Sequence, residues 1–504
     1  MVGDATYREI LRGLIGYICL QRRLQPVYTA QGFSRRLRDS AIVPPPLQGV
    51  QAFGQIGRAA GEEGPLPGDQ GMDRLREVLR AVQISHVTYG AAHNLVVGIG
   101  KPKNILDDNN AAAIRILGLS SEKDLIHVQW QSRGPHQPSY IVVADRAHGT
   151  LVVAIRGTFS PSDALTDLRC EAYGVLRVTA HGGQGKVHIG MWDSAVRLDA
   201  ELGDMIEEAL DGDCKGLKLR LVGHSLGAGV ASLLALRWHQ RFPGLHCFAF
   251  APPCVGAPPI TSNAQAFITS IVLSNDAVCR WSLASTKDVL SAAITLNTEP
   301  GAVSRLLSLT LVGDEVAGRL HGPLPGSPFR GSPNEAAIEA ENQDWCKSLM
   351  SGLEAGMDTE KLYPIGRIVW LTPPAPVSGL GEEWSFVEEG DSMEEDAPIR
   401  TGDGMEEDTQ EQEATWEVPS GNAGGSEDVP GAFSAEIVDA TMFERIVFTR
   451  GMLRDHLVHN YEAVLKDLLQ QAETPPGARG GSRTTSPIKS PAPGGGSGPK
   501  KPKL

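Results

Sequence analysis

The sequence lacks the features that mark several classes of protein. No run approaches the roughly 18 uninterrupted apolar residues that a membrane-spanning helix needs, and no secretory signal peptide is evident. The seven cysteines include no Cys-x-x-Cys pair, and their odd number does not suit a framework of disulfides. We therefore expect reduced thiols in a cytoplasmic protein without a transmembrane helix.

Aromatic residues are scarce, at 6% of the 504 residues, whereas glycine and proline number 57 and 34. This composition predicts that much of the chain is loop or linker. The length suffices for one large catalytic domain with extra segments, or for roughly two to three ordinary domains.

A concentrated basic region is also missing. The formal net charge is −14, but residues 381–430 hold 17 acidic residues and one basic residue, which leaves the rest of the chain near +2. We therefore expect no nucleic-acid partner. The acidic run does not show the Asp-x-Asp-x-Asp-Gly spacing of a calcium loop. We expect no cofactor and no resident metal, with calcium binding kept as an alternative.

Residues 1–84 are expected to be an N-terminal helical segment and linker. Residues 7–24 carry apolar side chains at helical spacing together with four arginines, which predicts an amphipathic basic helix. It could pack on the domain, dock on a membrane surface, or be a transit peptide, although Asp4 and Glu9 weaken the last. Residues 42–71 are rich in Pro, Gly and Gln, a composition that predicts a linker. A second helix is expected at residues 72–84.

From about residue 139, short apolar runs alternate with helical patterns. The strands are expected at 140–144 and 151–155 as a hairpin, and then at 217–222, 245–251, 267–273, 365–371 and 444–448. Helices are expected at 191–210, 228–241 and about 455–471. The alternation predicts an α/β domain over residues 85–472, in which helices cover both faces of a mostly parallel central sheet.

Two further segments lack the periodicity of a packed core. Residues 373–438 are acidic and interrupted by Pro and Gly, so they are expected to be a mobile insertion in the domain. Residues 473–504 are rich in Pro, Gly, Ser and Lys and are expected to be a disordered basic tail.

The run from Gly223 to Gly227, Gly-His-Ser-Leu-Gly, has the pattern of a nucleophile elbow. An apolar strand leads into it and a helix leads out, which is the turn that exposes a serine Oγ at the carboxyl edge of a sheet in α/β-hydrolases. Small residues at Gly223 and Gly227 allow neighbouring backbone to pass closely. The motif therefore predicts that Ser225 is a catalytic nucleophile.

A serine hydroxyl needs a base, and in α/β-hydrolases the acid and the histidine follow the serine in the chain. Asp276 comes just after the strand at 267–273, and His456 comes after the strand expected at 444–448. We expect Asp276 to orient His456, and His456 to take the proton from Ser225. His459 remains an alternative base. His224 is expected to be structural, and Asp213 and Asp344 to be solvated surface charges.

Several runs of this sequence resemble the class 3 (fungal-type) lipase family, and most of all the sn-1-specific diacylglycerol lipases. The similar runs occur in the same order as in that family, over roughly residues 10–25 and 85–465 with gaps. They include Ile155-Arg156-Gly157-Thr158, the elbow, Asn275-Asp276-Ala277-Val278-Cys279-Arg280 and Met452-Leu453-Arg454-Asp455-His456.

The resemblance implies the α/β-hydrolase fold and two oxyanion donors. These are Thr158, through its N–H and its hydroxyl, and the N–H of Leu226. The sequence departs from the family in two respects. The diacylglycerol lipases carry transmembrane helices before the catalytic domain, which this sequence does not show, and Cys279 stands where proline is usual.

The function implied is a serine-dependent acylglycerol lipase that hydrolyses a fatty-acyl ester, first of all of diacylglycerol, through an acyl-enzyme on Ser225. The substrate would lie in a membrane or on a lipid droplet surface, so we expect a peripherally membrane-associated protein. Residues 159–186 or the acidic insertion could cover the site, although the insertion could equally be a solvated tether. A catalytically silent lipase-fold scaffold, a lipid-binding protein and a soluble carboxylesterase are the alternatives.

Overall fold

The computed structural model describes most of the chain outside the acidic and terminal segments. The described residues are 6–24, 49–58, 68–96, 108–158 without 135, 175–180, 183–310, 333–373 without 358, 433–449 and 451–473. Most of the loop 159–186 and of the insertion 373–438, together with the tail from residue 474, lie outside them.

An eight-stranded sheet forms the centre of the molecule. Its strands are β1 (Leu125–Gln129), β2 (Tyr140–Asp145), β3 (Thr150–Ile155), β6 (Lys218–His224), β7 (His246–Phe250), β8 (Ile268–Leu273), β9 (Arg367–Thr372) and β10 (Ser434–Val438), in that spatial order. The neighbours from β3 to β9 are parallel, and the pairs at the two edges are antiparallel. Strands β4 (Val175–Ala180) and β5 (Gly183–His188) form a separate hairpin.

Helices cover both faces of this sheet. They are α1 (Tyr7–Arg23), α2 (Val50–Gly54), α3 (Gly68–Val87), α4 (Ala91–Val96), α5 (Asn109–Leu117), α6 (Ile189–Asp211), α7 (Leu226–Trp238), α8 (Pro258–Asn263), α9 (Leu283–Thr298), α10 (Pro333–Glu354) and α11 (Val458–Glu473). One apolar core joins the sheet to α2, α3, α5 and α11, and a second joins it to α6 and α7. The predicted α/β-hydrolase class, with a mostly parallel sheet between helices, is confirmed.

The central strands are buried on both faces, as a parallel sheet between helical layers requires. All six residues of β2, of β3 and of β8 are buried. The expected hairpin is β2 and β3, which pair antiparallel from Tyr140 opposite Ile155 to Asp145 opposite Thr150. Continuous β-branched runs in the sequence therefore located these strands to within about one or two residues.

The region expected to be a linker is partly structured, which corrects the prediction for residues 42–71. Helix α2 occupies Val50–Gly54, and α3 begins at Gly68 rather than at 72. Phe53 is fully buried in the same core as the sheet. A Cβ on Gly71 would lie 2.6 Å from the carbonyl oxygen of Val50, so glycine permits the close contact between α2 and α3. A few apolar residues among Gly and Gln thus sufficed to fix a turn of helix.

Helix α3 is attached to the sheet by partly buried ion pairs as well as by apolar contacts. Arg220 of β6 donates to Glu77 at 2.7 Å, and Arg80 donates to Asp145 of β2 at 2.7 Å. Helix α3, which begins in the segment expected to be N-terminal to the domain, therefore shares its core with the sheet. The division of the chain at residue 84 stays a prediction.

Helix α1 packs along α9 and against α10, away from the sheet. The threonine at its N-terminus, Thr6, and Glu9 form a capping box. A Cβ on Gly13 would lie 1.8 Å from the carbonyl oxygen of Ala293, so the backbones of α1 and α9 touch at this glycine. The packing predicted as one of three possibilities for this helix is observed.

The last strand lies elsewhere than expected. The prediction of a strand at 444–448 is wrong, because residues 434–438 form β10 and pair with β9. Residues 444–448 follow a 3-10 turn, and the carbonyl oxygen of Ile446 accepts a hydrogen bond from Gln21 of α1. Phe448 of this segment packs on Tyr17 of α1 and not in the sheet, a difference that β propensity cannot detect. The end of the acidic insertion expected at 373–438 is therefore part of the sheet.

No helix among the described residues has the length and apolar composition to cross a bilayer.

We predict that Gly13→Ala destabilises the protein by about 1–3 kcal/mol. The added methyl group would overlap the backbone carbonyl of Ala293, which cannot move aside as a flexible side chain can. Thermal unfolding measures this. The control is Gly352→Ala on α10, where a Cβ meets nothing within 4 Å. There alanine should be neutral or stabilising, since it favours helix. An equal melting temperature for Gly13→Ala and the wild type would contradict the close contact.

Candidate active site

Ser225 lies at the turn between β6 and α7, in a strained backbone conformation. Its φ is 58° and its ψ is −131°, which L residues rarely adopt. The Ser225 N–H donates to the carbonyl oxygen of Phe250 at the end of β7, at 2.9 Å. The turn therefore holds the serine at the carboxyl edge of the sheet, as the elbow motif predicts.

Three glycines permit the close approach of backbone at this turn. A Cβ on Gly223 would lie 2.3 Å from the carbonyl oxygen of Gly227, and a Cβ on Gly227 would lie 2.2 Å from that of Ile155. A Cβ on Gly157 would lie 2.5 Å from the carbonyl oxygen of His224 and 2.9 Å from the Cβ of Ser225. The end of β3 is thus pressed against the serine, and no larger residue fits at these positions.

The neighbouring strands end in the same way. The residues just after β6, β7 and β8 are Ser225, Ala251 and Ser274, and all three have positive φ. Each donates its N–H to the next strand of the sheet, with distances of 2.8–3.0 Å. Strain is therefore concentrated along one edge of the sheet, where ligands bind in α/β folds.

Ser225, His456 and Asp276 form one chain of hydrogen bonds. The Nε2 of His456 lies 2.9 Å from Ser225 Oγ, and its Nδ1 lies 3.0 Å from both carboxylate oxygens of Asp276. All three side chains are buried. Because the carboxylate only accepts, Nδ1 carries the hydrogen, and Nε2 is left free to accept the serine proton.

Asp276 is held ionised by the groups around it. Burial by itself raises the pKa of Asp276, but the attraction of His456 and the hydrogen bonds from His456, Tyr461 and the Val278 N–H outweigh burial, so the pKa lies below its ordinary value. The Tyr461 hydroxyl donates to Oδ2 at 2.7 Å and accepts from the Leu273 N–H at 3.0 Å. The carboxylate therefore has enough donors to stay charged although it is buried.

His224 joins the elbow to the loop that carries His456. Its Nε2 lies 2.7 Å from the carbonyl oxygen of His456, and its Nδ1 lies 2.7 Å from the Tyr89 hydroxyl. Because a carbonyl only accepts, Nε2 donates, and Nδ1 accepts from Tyr89. Burial, with repulsion from His456, holds the pKa of His224 well below its ordinary value, so the ring stays neutral. The Tyr89 oxygen in turn accepts from the Gly157 N–H at the end of β3.

The alternative residues lie away from this chain of hydrogen bonds. Burial and the proximity of His86 lower the pKa of His459, and it is His456 that contacts Ser225. The carbonyl oxygen of the exposed Asp213 accepts from Arg146, and the exposed Asp344 pairs with Lys347 at 3.1 Å.

The two expected oxyanion donors belong to the two segments of backbone that meet at Ser225. Leu226 is the first residue of α7, where a helix leaves backbone N–H groups without an intrahelical acceptor. Thr158 directly follows Gly157, whose contact with Ser225 brings the end of β3 to the elbow. The Thr158 Oγ1 is buried and finds no hydrogen-bond partner in the part of the chain that the structure describes.

A strand-to-helix elbow with a buried serine, histidine and aspartate is the geometry typical of the α/β-hydrolase fold. Residues 152–286 match the class 3 lipase family. The resemblance predicted from the sequence is thereby confirmed. The matched residues contain Thr158, Ser225, Leu226 and Asp276, whereas His456 lies beyond them and is brought to the site by the fold.

Two diacylglycerol lipases are similar to this chain in sequence. Diacylglycerol lipase-alpha of Homo sapiens is 34% identical over 183 residues, which cover 34% of this chain and 18% of that protein. Diacylglycerol lipase-beta of Mus musculus is 32% identical over 181 residues, which cover 36% of this chain and 27% of that protein. The matches therefore span less than a third of the length of either relative.

Among solved structures, the Rhizomucor miehei lipase propeptide complex is 20% identical, with a TM-score of 0.33, over 45% of this chain and 76% of that chain.

Two tyrosines of the site were not predicted from the sequence. Tyr461 and Tyr89 contact residues that are 185 and 135 positions away in the chain. Tyr461 does carry a signal, because a tyrosine in the apolar stripe of a helix needs a partner for its hydroxyl. The sequence could thus have indicated a buried hydrogen bond at Tyr461, but not its partner.

Asp455 provides a test of the electrostatics next to His456. Its carboxylate accepts from the Asn275 N–H at 3.3 Å. Burial raises the pKa of Asp455 to about 6, against the hydrogen bonds from Asn275 and Ser274, which lower it. Because the folded pKa lies above the ordinary value of 3.8, the stability linked to its protonation is complete below 3.8 and is lost as the pH rises through about 6.

We therefore predict that Asp455→Asn is more stable than the wild type above about pH 6, and that the difference disappears below about pH 3.8. Urea unfolding at a series of pH values measures this. Asp193→Asn, on the exposed face of α6, controls for the removal of a carboxylate. A wild type that is the more stable of the two above pH 6 would count against the assignment.

Proposed function

We propose that this chain is a serine-dependent acylglycerol lipase that hydrolyses a fatty-acyl ester bond through an acyl-enzyme on Ser225. The observation that carries the proposal is the continuous chain of hydrogen bonds from Ser225 through His456 to the buried Asp276. A scaffold has no physical need for this arrangement, because burying a charged carboxylate costs free energy unless it is paired.

Catalysis begins with a proton transfer. His456 Nε2 takes the proton of Ser225 Oγ as that oxygen attacks the carbonyl carbon of the ester, and Asp276 stabilises the resulting imidazolium. The tetrahedral intermediate collapses, and the alcohol leaves with the proton from His456 Nε2. Water then attacks the acyl-serine with His456 as base, which releases the fatty acid and restores the serine.

The negative charge of the tetrahedral intermediate needs donors that are already in place. We assign this role to the N–H groups of Thr158 and Leu226, together with the Thr158 hydroxyl. The absence of a partner for this buried hydroxyl among the described residues supports the assignment, because a buried polar group without a partner is costly unless it serves a ligand.

Diacylglycerol is our first choice of substrate, because the similar proteins are named diacylglycerol lipases. Such a substrate lies in a membrane or on a lipid droplet surface, so the protein would associate peripherally with that surface and act in the cytoplasm. No cofactor enters the proposed reaction. A soluble carboxylesterase is the second candidate. It would hydrolyse dissolved short-chain esters and leave dispersed diacylglycerol untouched.

We predict that a fluorophosphonate probe labels the wild type and does not label Ser225→Ala. Gel fluorescence measures the label. The matched control is Ser232→Ala on the same helix, where the side chain donates to the Ala228 carbonyl oxygen at 2.8 Å and should have no part in the reaction. Equal labelling of Ser225→Ala and the wild type would rule out Ser225 as the nucleophile. Failure to label any of the three proteins would favour a catalytically silent scaffold.

We predict that Thr158→Val lowers kcat by about 10²-fold with little change in KM, because it removes a donor that acts on the transition state and not on the bound ester. Steady-state hydrolysis of a dispersed diacylglycerol measures both constants. Thr158→Ser keeps the hydroxyl and should retain most of the activity. If kcat of Thr158→Val equals that of the wild type, the hydroxyl has no role in the oxyanion site.

A further inference from the structure

The outward face of α1 is apolar. Tyr7, Leu11 and Ile15 are exposed over 80%, 43% and 41% of their surface. They follow one another at intervals of four residues, so they lie along one side of the helix. We call this side the outward stripe of α1.

The outward stripe is not needed for packing, because the opposite side of α1 already provides the apolar contact with the protein. Tyr17, Cys19 and Leu20 are buried there in a core shared with α9 and α10. A surface helix ordinarily has one apolar side and one polar side. A helix that is apolar on two sides has a second surface to cover, and an exposed row of this kind marks an interaction site.

The charges beside the outward stripe indicate the partner. Arg8, Arg12 and Arg22 are exposed on α1, and Glu9, the acidic residue of the helix, is occupied by the cap at Thr6. Apolar side chains bordered by arginines match an anionic lipid surface, where the apolar groups enter the acyl boundary and the arginines contact the head groups.

We propose that the outward stripe of α1 docks the protein on a bilayer that contains anionic lipid. The proposal deepens the lipase function given above and rests on it, since a lipase takes its substrate from such a surface. It also adds a docking role to the packing role of this helix, with the two roles on opposite sides.

Helix α1 is joined by hydrogen bonds and a ring contact to the part of the chain that leads to the active site. Gln21 Nε2 donates to the Ile446 carbonyl oxygen, and Gln21 Oε1 accepts from the Phe448 N–H, both at 2.9 Å. The rings of Tyr17 and Phe448 meet edge to face, with centroids 6.3 Å apart. The segment from 446 to 448 continues to the loop with His456. A bilayer held by α1 would therefore lie at a fixed position relative to the catalytic core.

The test measures binding without turnover, in Ser225→Ala protein. Cosedimentation with phosphatidylcholine vesicles, with and without phosphatidylserine, gives the affinities. We expect Leu11→Glu with Ile15→Glu to lose about tenfold or more in affinity for both kinds of vesicle, because the apolar contact is removed. Arg8→Ala with Arg12→Ala should lose about fivefold per residue on the phosphatidylserine vesicles alone.

Val196→Glu is the matched control, since Val196 is exposed to 37% on α6 and should leave binding unchanged. Unchanged binding of the Leu11→Glu, Ile15→Glu variant would overturn the proposal. So would a variant that binds vesicles normally and changes its oligomeric state in solution, because the stripe would then be covered by a second copy of the chain.

Hydrolysis of a dissolved short-chain ester separates this proposal from the proposed function. In protein that keeps the wild-type Ser225, the Leu11→Glu, Ile15→Glu variant should keep wild-type activity on that ester and lose activity on diacylglycerol in vesicles. If the wild type hydrolyses neither substrate but binds vesicles through α1, the lipase function fails and the docking surface stands. If the variant loses the dissolved ester as well, the effect is not one of docking.

Discussion

The contact between the end of β3 and the elbow is the constraint on which the rest of the site depends. The backbone is packed so closely at Gly157, Gly223 and Gly227 that a Cβ on any of them would lie only 2.2–2.5 Å from a carbonyl oxygen. Ser225 has its positive φ at this same contact, and Thr158 and Leu226 directly follow Gly157 and Ser225 in the chain. The apolar cores on both faces of the sheet supply the stability against which such strain is held.

A buried polar network then connects this contact to His456, the proposed base. Tyr89, His224 and the His456 carbonyl join the end of β3 to the loop with His456, while Tyr461 and the Val278 N–H hold Asp276 charged. Every member has a partner, which is what allows so many polar groups to be buried together. The position of His456 is thus fixed by its backbone as well as by its side chain.

Much of this site could be predicted from the sequence because its parts are local. The apolar runs located the central strands, and the elbow motif with the order of serine, aspartate and histidine singled out Ser225, Asp276 and His456. What the sequence could not give depends on distant contacts. Residues 444–448 have the composition of a strand, yet residues 434–438 form the edge strand, and Ile446 and Phe448 contact α1 instead. Tyr89 and Tyr461 likewise have partners that no spacing reveals.

The proposed reaction requires Ser225 to carry the acyl group during turnover. Peptide mass spectrometry of the protein, quenched in acid during hydrolysis of diacylglycerol, detects such an intermediate. We expect a fatty-acyl mass on the peptide that contains Ser225, which disappears when the substrate is exhausted. Steady hydrolysis of diacylglycerol by the Ser225→Ala protein, or an acyl mass found only on another peptide, would contradict it.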